Sequence, residues 1–270
     1  MRVQNVIGNA KALNNINSIN LQISSGGYVK ADDGWRQIPL YAGFTRLYYV
    51  MDGEGAILSD TEKMKLEPGF VYLAPCHMKC GFYTDTSISK LFFHVNLPIF
   101  DDGTDAFENY GKFARLPMDV GRIEKMTDAY LGDDVAAHLW LKSEITSTVC
   151  TFLDQNRSSI RKNEEQRPLR DAMRYIRTHL SSALTVKKVA EAAFCSDSKL
   201  SALFRREVGS SVAVYIDDLI MSEAHNMLLS RDATIAEISE DLGFCDQFYF
   251  SRRFKKRFGL SPREYRDRVK

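Results

Sequence analysis

The period of the apolar pattern changes near residue 160. Ahead of it, between Gln37 and Leu97, short runs rich in β-branched and aromatic residues alternate with turn formers. RLYYVM (46–51), GAILS (55–59), FVYLAP (70–75) and ISKLFFHVNL (88–97) read as strands, broken at Asp52-Gly53-Glu54-Gly55, Pro68-Gly69 and Pro75. Short strands at this spacing predict a sandwich or a small barrel. Pro98 to Pro117 reads as a long loop. From Gly121 to Asn156 the pattern turns helical. Ile123, Met126 and Tyr130 share one face, and Val135, Leu139, Ile145, Val149, Phe152 and Leu153 outline another. The polar run Arg157–Pro168 reads as a linker. Everything after it is helical.

The last hundred residues contain a repeat. Thr185-Val186-Lys187-Lys188-Val189-Ala190 returns as Thr234-Ile235-Ala236-Glu237-Ile238-Ser239, at an offset of 49. Leu200–Arg206 returns as Phe250–Lys256 at an offset of 50, and so does Gly209 as Gly259. Such self-similarity marks a duplicated supersecondary unit. In each copy a Thr is placed to cap a first helix, and Ser196 or Asp246 to cap a second. The face Val186, Val189, Ala190, Ala193 matches Ile235, Ile238, Ser239, Leu242, with a small residue where two helices cross. A short turn separates the two helices, Phe194-Cys195-Ser196 in one copy and Gly243-Phe244-Cys245-Asp246 in the other. This is the build of a helix-turn-helix, whose second helix enters the major groove. Charge agrees. From Arg167 onward there are 19 Lys and Arg against 14 Asp and Glu, a balance of +5, and the front carries −4.

GFCDQFYFSRRFKKRFGLSPREYR (243–266) closely resembles the signature of AraC/XylS-type transcription regulators. LTVKKVAEAAFCSDSKLSALFRREVG (184–209) is similar to the first helix-turn-helix of that family. The resemblance implies seven helices, with two helix-turn-helix units joined by one long helix from about Ser211 to Leu229. It implies that Gln247, Phe248, Ser251 and Arg252 face bases in the second unit, and Ser198, Lys199, Ser201 and Ala202 in the first. Gln pairs well with adenine and Arg with guanine. Lys199, Arg205, Arg206, Lys255 and Lys256 are expected at phosphates or flanking bases. The first set is short apart from Lys199, so direct readout is expected mostly from the second unit. Two positions depart from the family: Ile220 stands where the joining helix usually carries a basic residue, and Ser239 replaces the usual Ala.

RLYYVMDGEGAILSDTEKMKLEPGFVYLAP (46–75) resembles, more loosely, the cupin-like β-barrel that precedes this domain in many of these regulators. There it binds a small effector, often a sugar, and the helices behind it dimerise. The expected fold is therefore α+β with two domains. Residues 1–160 form a cupin-like effector-binding and dimerisation domain. Residues 161–270 form an all-α double helix-turn-helix domain. Side chains that combine rings with polar ends are the expected effector contacts: Trp35, Arg46, Tyr48, His77, His94 and Asn96. Tyr48 and Tyr49 point to opposite faces, so at most one lines the pocket. Cys76, His77 and Cys80 fall short of a tetrahedral metal site, and no metal or cofactor is expected. Double-stranded DNA, a small effector such as a sugar, RNA polymerase and a second copy of the chain are the implied partners. MRVQNVIGNAKALNN is too polar for a signal peptide, no stretch is apolar enough to span a membrane, and five scattered cysteines suit a reducing compartment. A cytoplasmic regulator, not an enzyme, is the expectation, most simply an activator of carbohydrate uptake or catabolism genes. Two readings compete with it: a front domain that only dimerises, and a cupin enzyme with a DNA-binding tail.

Overall fold

Strands β1 (Gln22–Asp32), β8 (Ser87–Asn96), β3 (Thr45–Gly53), β6 (Phe70–Ala74) and β9 (Ala114–Pro117) form one antiparallel sheet in that order. Strands β2 (Arg36–Leu40), β7 (Cys80–Tyr83), β4 (Gly55–Leu58) and β5 (Lys63–Leu66) form a second. This is a computed structural model, and it describes residues 12, 16–17, 19–32, 36–99, 104–157, 167–230 and 233–269. The period-2 alternation of the central strands sorts two cores. Tyr48, Val50, Tyr72, Ala74, Ile88 and Phe92 face Ile57, Leu66, Cys80 and Phe82 of the other sheet. Leu47, Tyr49, Val71, Leu73, Leu91, Phe93 and Val95 face the helices behind. With both faces covered, each central strand reads as one long apolar run rather than an alternation.

The sheets do not close into the barrel expected from the sequence. Among the described strands, none pairs with both sheets. The chain passes between sheets at tight corners instead, one of them at Glu54 between β3 and β4. Gly53 there has φ 75°, and a Cβ would lie 2.0 Å from the Ser87 carbonyl oxygen, so only glycine fits the corner.

The described part of the segment expected as a loop, 98–99 and 104–117, also carries regular structure. Its last four residues are β9, paired to β6 from Phe70↔Pro117 to Leu73↔Ala114. Asp105, 3% exposed, folds the segment back by accepting the backbone N–H of Leu97 (2.7 Å) and of Phe107 (2.9 Å).

Helices α1 (Val120–Leu131) and α2 (Val135–Gln155) cover the outer face of the first sheet through Ile123, Met126, Leu141, Ile145, Val149, Phe152 and Leu153. Val135 and Leu139, expected on the same stripe, are 70% and 66% exposed. At 100° per residue they lie ~100° and ~140° round the helix from the line Leu141–Ile145–Phe152, so only the second half of the expected stripe packs.

The proposed linker lies largely outside the described residues. After it come α3 (Arg167–Thr178), α4 (Val186–Ala192), α5 (Asp197–Leu203, running into a π-type turn at Phe204–Val208), α6 (Val212–Ser230), α7 (Ile235–Asp241), α8 (Gln247–Phe258) and α9 (Pro262–Val269). The repeat is realised cap for cap. Thr185 accepts from Lys188 N–H, and Thr234 forms a capping box with Glu237. Ser196 accepts from Lys199 N–H, and Asp246 from Phe248 and Tyr249 N–H. Gly209 and Gly259 both end their helices in the left-handed region, at φ 76° and 79°. The turns differ. Gly243 takes φ 73° in the second unit, whereas Phe194 holds φ 51° in the first and is 94% exposed. Among the described residues no helix is long and apolar enough to cross a membrane.

Ser239, at the helix crossing, is 2% exposed and its hydroxyl oxygen meets no hydrogen-bond partner. An unsatisfied buried hydroxyl costs about 1–3 kcal/mol. Ser239→Ala should therefore raise stability by about 1 kcal/mol in urea unfolding, and a loss of stability would contradict this packing.

Candidate DNA-reading surface and sensor interior

The two second helices of the repeat, α5 and α8, bury one apolar stripe each and expose the rest. In α5, Leu200 and Leu203 are buried, while Ser198, Lys199 and Ala202 are exposed and Ser201 is half-buried. Arg205 and Arg206 continue that exposed face, and Arg206 is paired with Glu207 at 2.6 Å. In α8, Phe250 and Phe254 are buried. Gln247, Phe248, Arg252, Lys255 and Lys256 are exposed, and Ser251 is half-buried. The basic run at 252–257 is thus split by the helix period. Arg253 and Arg257 turn inward instead and pair with Asp217 and Asp218 of α6. Asp218 is 2% exposed, and burial raises its carboxyl pKa against the opposing pull of Arg257. These two acids therefore clamp α8 to the joining helix. Ile220, where the family usually carries a basic residue, is 2% exposed and packs in the core.

Between the two sheets, the structure brings together three of the six expected effector contacts. Register places Arg46 opposite His94 and Tyr48 opposite Phe92. Arg46 is 2% exposed, lies 5.0 Å from the Phe44 ring centre and 5.5 Å from that of Phe82, and donates to Cys80 Sγ at 3.1 Å. Lys90 joins them, its Nζ 3.7 Å from the Tyr48 ring centre. It sits two strand steps before His94 on the same face, so the alternation Ile88-Lys90-Phe92-His94 carried the signal for it. Two of the other three contacts, Asn96 and His77, lie elsewhere. Asn96 is pinned, donating to the Gly43 carbonyl (2.7 Å) and to Asp105 (3.3 Å). His77 sits at the boundary with the helical domain, hydrogen-bonded to the Tyr215 hydroxyl. Trp35 lies outside the described residues. Cys76 and Cys80 belong to different cores, and among the described residues no group of three His, Cys, Asp or Glu is placed to hold a metal.

The interior is joined to the helical domain through α6. His94 Nδ1 lies 2.8 Å from Asn226 Oδ1 and 2.8 Å from Ser25 Oγ. Burial, followed by the charge of Arg46, holds the His94 pKa well below the usual histidine range. Tyr41 of the sheet domain packs in the helical core and donates to the Val208 carbonyl at 2.6 Å. Arg257 reaches back to the Pro39 carbonyl at 3.1 Å. Two cavities open at this boundary, of about 450 and 330 Å3. The larger is lined in part by His77, Glu108 and Arg170, and the smaller by Phe44, Asn96 and Arg177.

Residues 189–268 match the family model described as a helix-turn-helix domain. The arabinose operon regulatory protein of Salmonella typhimurium is 42% identical over 99 residues, which are 36% of this chain and 35% of that protein. The C-terminal domain is a helix-turn-helix domain similar to that part of the arabinose operon regulatory protein. The chain thus matches only about a third of the length of that relative. The Msm operon regulatory protein of Streptococcus mutans is 24% identical over 274 residues, 94% of this chain and 95% of that protein. In fold, the whole chain resembles the crystal structure of ToxT from Vibrio cholerae. The TM-score is 0.65 at 12% identity, covering 92% of this chain and 98% of that one. The helix-turn-helix match accounts for the paired caps, and the ToxT likeness for a sheet-rich front half with a helical domain behind it.

His225 of α6 lies between the rings of Phe258 (5.9 Å) and Tyr265 (5.4 Å), and burial pushes its pKa down to about 4. The unfolded chain binds that proton near pH 6.5, so stability is present above 6.5 and lost as pH falls toward 4. Between pH 7.5 and 5.0 the wild type should lose about 2 kcal/mol more than His225→Phe. Equal losses by urea unfolding at the two pH values would contradict this burial.

Proposed function

We propose that the chain is a ligand-responsive, sequence-specific transcription regulator, an activator of carbohydrate uptake or catabolism genes. One observation carries the reading: Gln247, Phe248 and Arg252 are exposed on a capped helix whose inward arginines are fixed to α6. A recognition helix needs that division, since it must be held rigidly while its outer face meets base edges. Ser198, Lys199, Ser201 and Ala202 form the weaker first reader. Lys199, Arg205, Arg206, Lys255 and Lys256 meet phosphates. Residues 1–160 serve as the sensor, with Arg46, Tyr48 and His94 at the effector. The relative named for an arabinose operon favours a sugar.

Residues 161–270 bind double-stranded DNA in the cytoplasm and contact RNA polymerase. A homodimer forms through the outer face of α2, where Val135 and Leu139 are exposed beside Ala136. A full-length chain that sediments as a monomer with operator bound removes the dimer from this account. For the reader itself, Arg252→Ala should relax preference at one base step by about 1–3 kcal/mol in a binding-site selection. Substitutions at Ser198 or Ala202 should change selection less. Unchanged discrimination after Arg252→Ala would overturn the assignment of the second helix as the main reader.

A further inference from the structure

One short segment of the sheet domain touches the ends of both second helices of the repeat. Tyr41 donates to the Val208 carbonyl (2.6 Å) at the end of the first, and the Pro39 carbonyl accepts from Arg257 (3.1 Å) at the end of the second. At the repeat offset of 50, Val208 matches Phe258, the neighbour of Arg257, so the two bonds reach equivalent ends of the two units. The alternate residues are held by the sheets. Leu40, 0% exposed, pairs with Cys80 of β7, and the Ala42 carbonyl accepts the backbone N–H of His77 at 2.9 Å. Successive residues of an extended segment face opposite ways. Segment 39–42 therefore forms a bracket, with Leu40 and Ala42 fixed to the sheets and Pro39 and Tyr41 reaching the helices.

Each bond has a local cause. β2 is an edge strand, and its pairing with β7 shifts register between Gln37 and Leu40. Pro39 lies in that shift and has no N–H to give the ladder. The Val208 carbonyl is one of the last of its helix, where intrahelical donors run out. The helix ends there in a π-type turn, closed by the Gly209 N–H on the Phe204 carbonyl at 3.0 Å, a wider winding than the α-helix before it. Tyr41 fixes where that turn ends. Its ring lies 5.2 Å from that of Tyr215, which lies 5.4 Å from Phe204 at the start of the same turn. Neither bond involves Ser198, Lys199, Gln247 or Arg252, so the bracket leaves the reading faces open.

We infer that this bracket sets the separation of the two readers, and that Tyr41 is a positioning residue which decides the operator spacing the protein accepts. The inference rests on the proposed reading of α5 and α8 as the DNA readers. One inserted base pair moves a contact stretch ~3.4 Å along the duplex and turns it about the axis. A pair of readers tied at both ends to one bracket cannot follow that movement, whereas a pair released at one end can.

The test uses the full chain. A site is selected from a randomised duplex pool with the wild type, and hydroxyl-radical footprinting locates its two protected stretches. One base pair is then inserted or deleted between the stretches, and Kd is measured on the three duplexes for the wild type and for Tyr41→Phe, which loses the hydroxyl and keeps the ring. The wild type is expected to lose about tenfold or more for either change, and Tyr41→Phe about threefold or less. A loss of folded protein weakens a variant on all three duplexes alike, so the ratio between duplexes reads spacing alone. If thermal melting shows Tyr41→Phe unfolded, Arg257→Gln, which loosens the other end of the bracket, is read in the same way. Equal ratios in the wild type and the folded variant overturn the bracket and leave two readers standing. A wild type that binds all three duplexes equally overturns it too. No selected site, or a footprint with one protected stretch, overturns the reader assignment itself.

Discussion

Helix α6 is the constraint on which the rest of the structure depends. Val212, Tyr215, Ile216, Leu219, Ile220, Met221, Ala224, Met227 and Leu228 are all buried, and so are the polar Asp218, Ser222, His225 and Asn226. Its first turn is exposed at Ala213 and Val214, but from Tyr215 to Leu228 all residues except the half-buried Asp217 and Glu223 are buried, and a stretch so enclosed sits between two bodies rather than on the surface of one. One side of α6 closes the core shared by both helix-turn-helix units. Another side meets the sheet domain, where Asn226 reaches His94 and Tyr215 reaches His77. The acids Asp217 and Asp218 then fix the second reading helix to it. Any shift of α6 against the sheets is therefore also a shift of α8. The geometry supplies a single packed element in contact with both the sheet interior and the second helix of the second repeat.

That arrangement also bears on the proposed inequality of the two readers. The second helix is held by two ion pairs, one with a buried carboxylate, and its outer face carries an amide, a ring and a guanidinium. The first continues into a π-type turn at Phe204–Val208, and its outer face carries small side chains. Phe194 adds backbone strain in the turn before it, where a glycine serves the second unit. A rigid helix with long polar side chains discriminates bases, and a looser one with short side chains contributes mainly position along the backbone.

The helical half was legible in the sequence because its signals are local. Caps sit at fixed offsets from apolar faces, and the duplication displays each of them twice, so Thr185, Ser196, Thr234 and Asp246 all fell where the pattern put them. The sheet half was legible only where strands run long. β9 has four residues and owes its place to β6, a long-range pairing that no local pattern announces. The open sandwich was read as a barrel because alternation fixes which side chains face inward and leaves closure undetermined. In the candidate pocket, Arg46, Tyr48 and His94 converged because register aligns β3 with β8. Lys90 was passed over because a lysine inside an apolar strand reads as an exposed charge until the second sheet is in place. Asn96 and His77 were placed in the pocket by residue type alone, and tertiary bonds to Gly43, Asp105 and Tyr215 hold them elsewhere.

The central claim is that the sensor interior acts on the reader through the His94–Asn226 contact. Operator affinity of Asn226→Leu and His94→Leu in the full chain tests it most directly, since neither residue lies on the DNA-reading faces. Coupling through one such element is worth ~1–3 kcal/mol. The account predicts a change in operator Kd of about tenfold for each single variant, with no further change in the double variant. Folded variants whose operator Kd equals that of the wild type would contradict it.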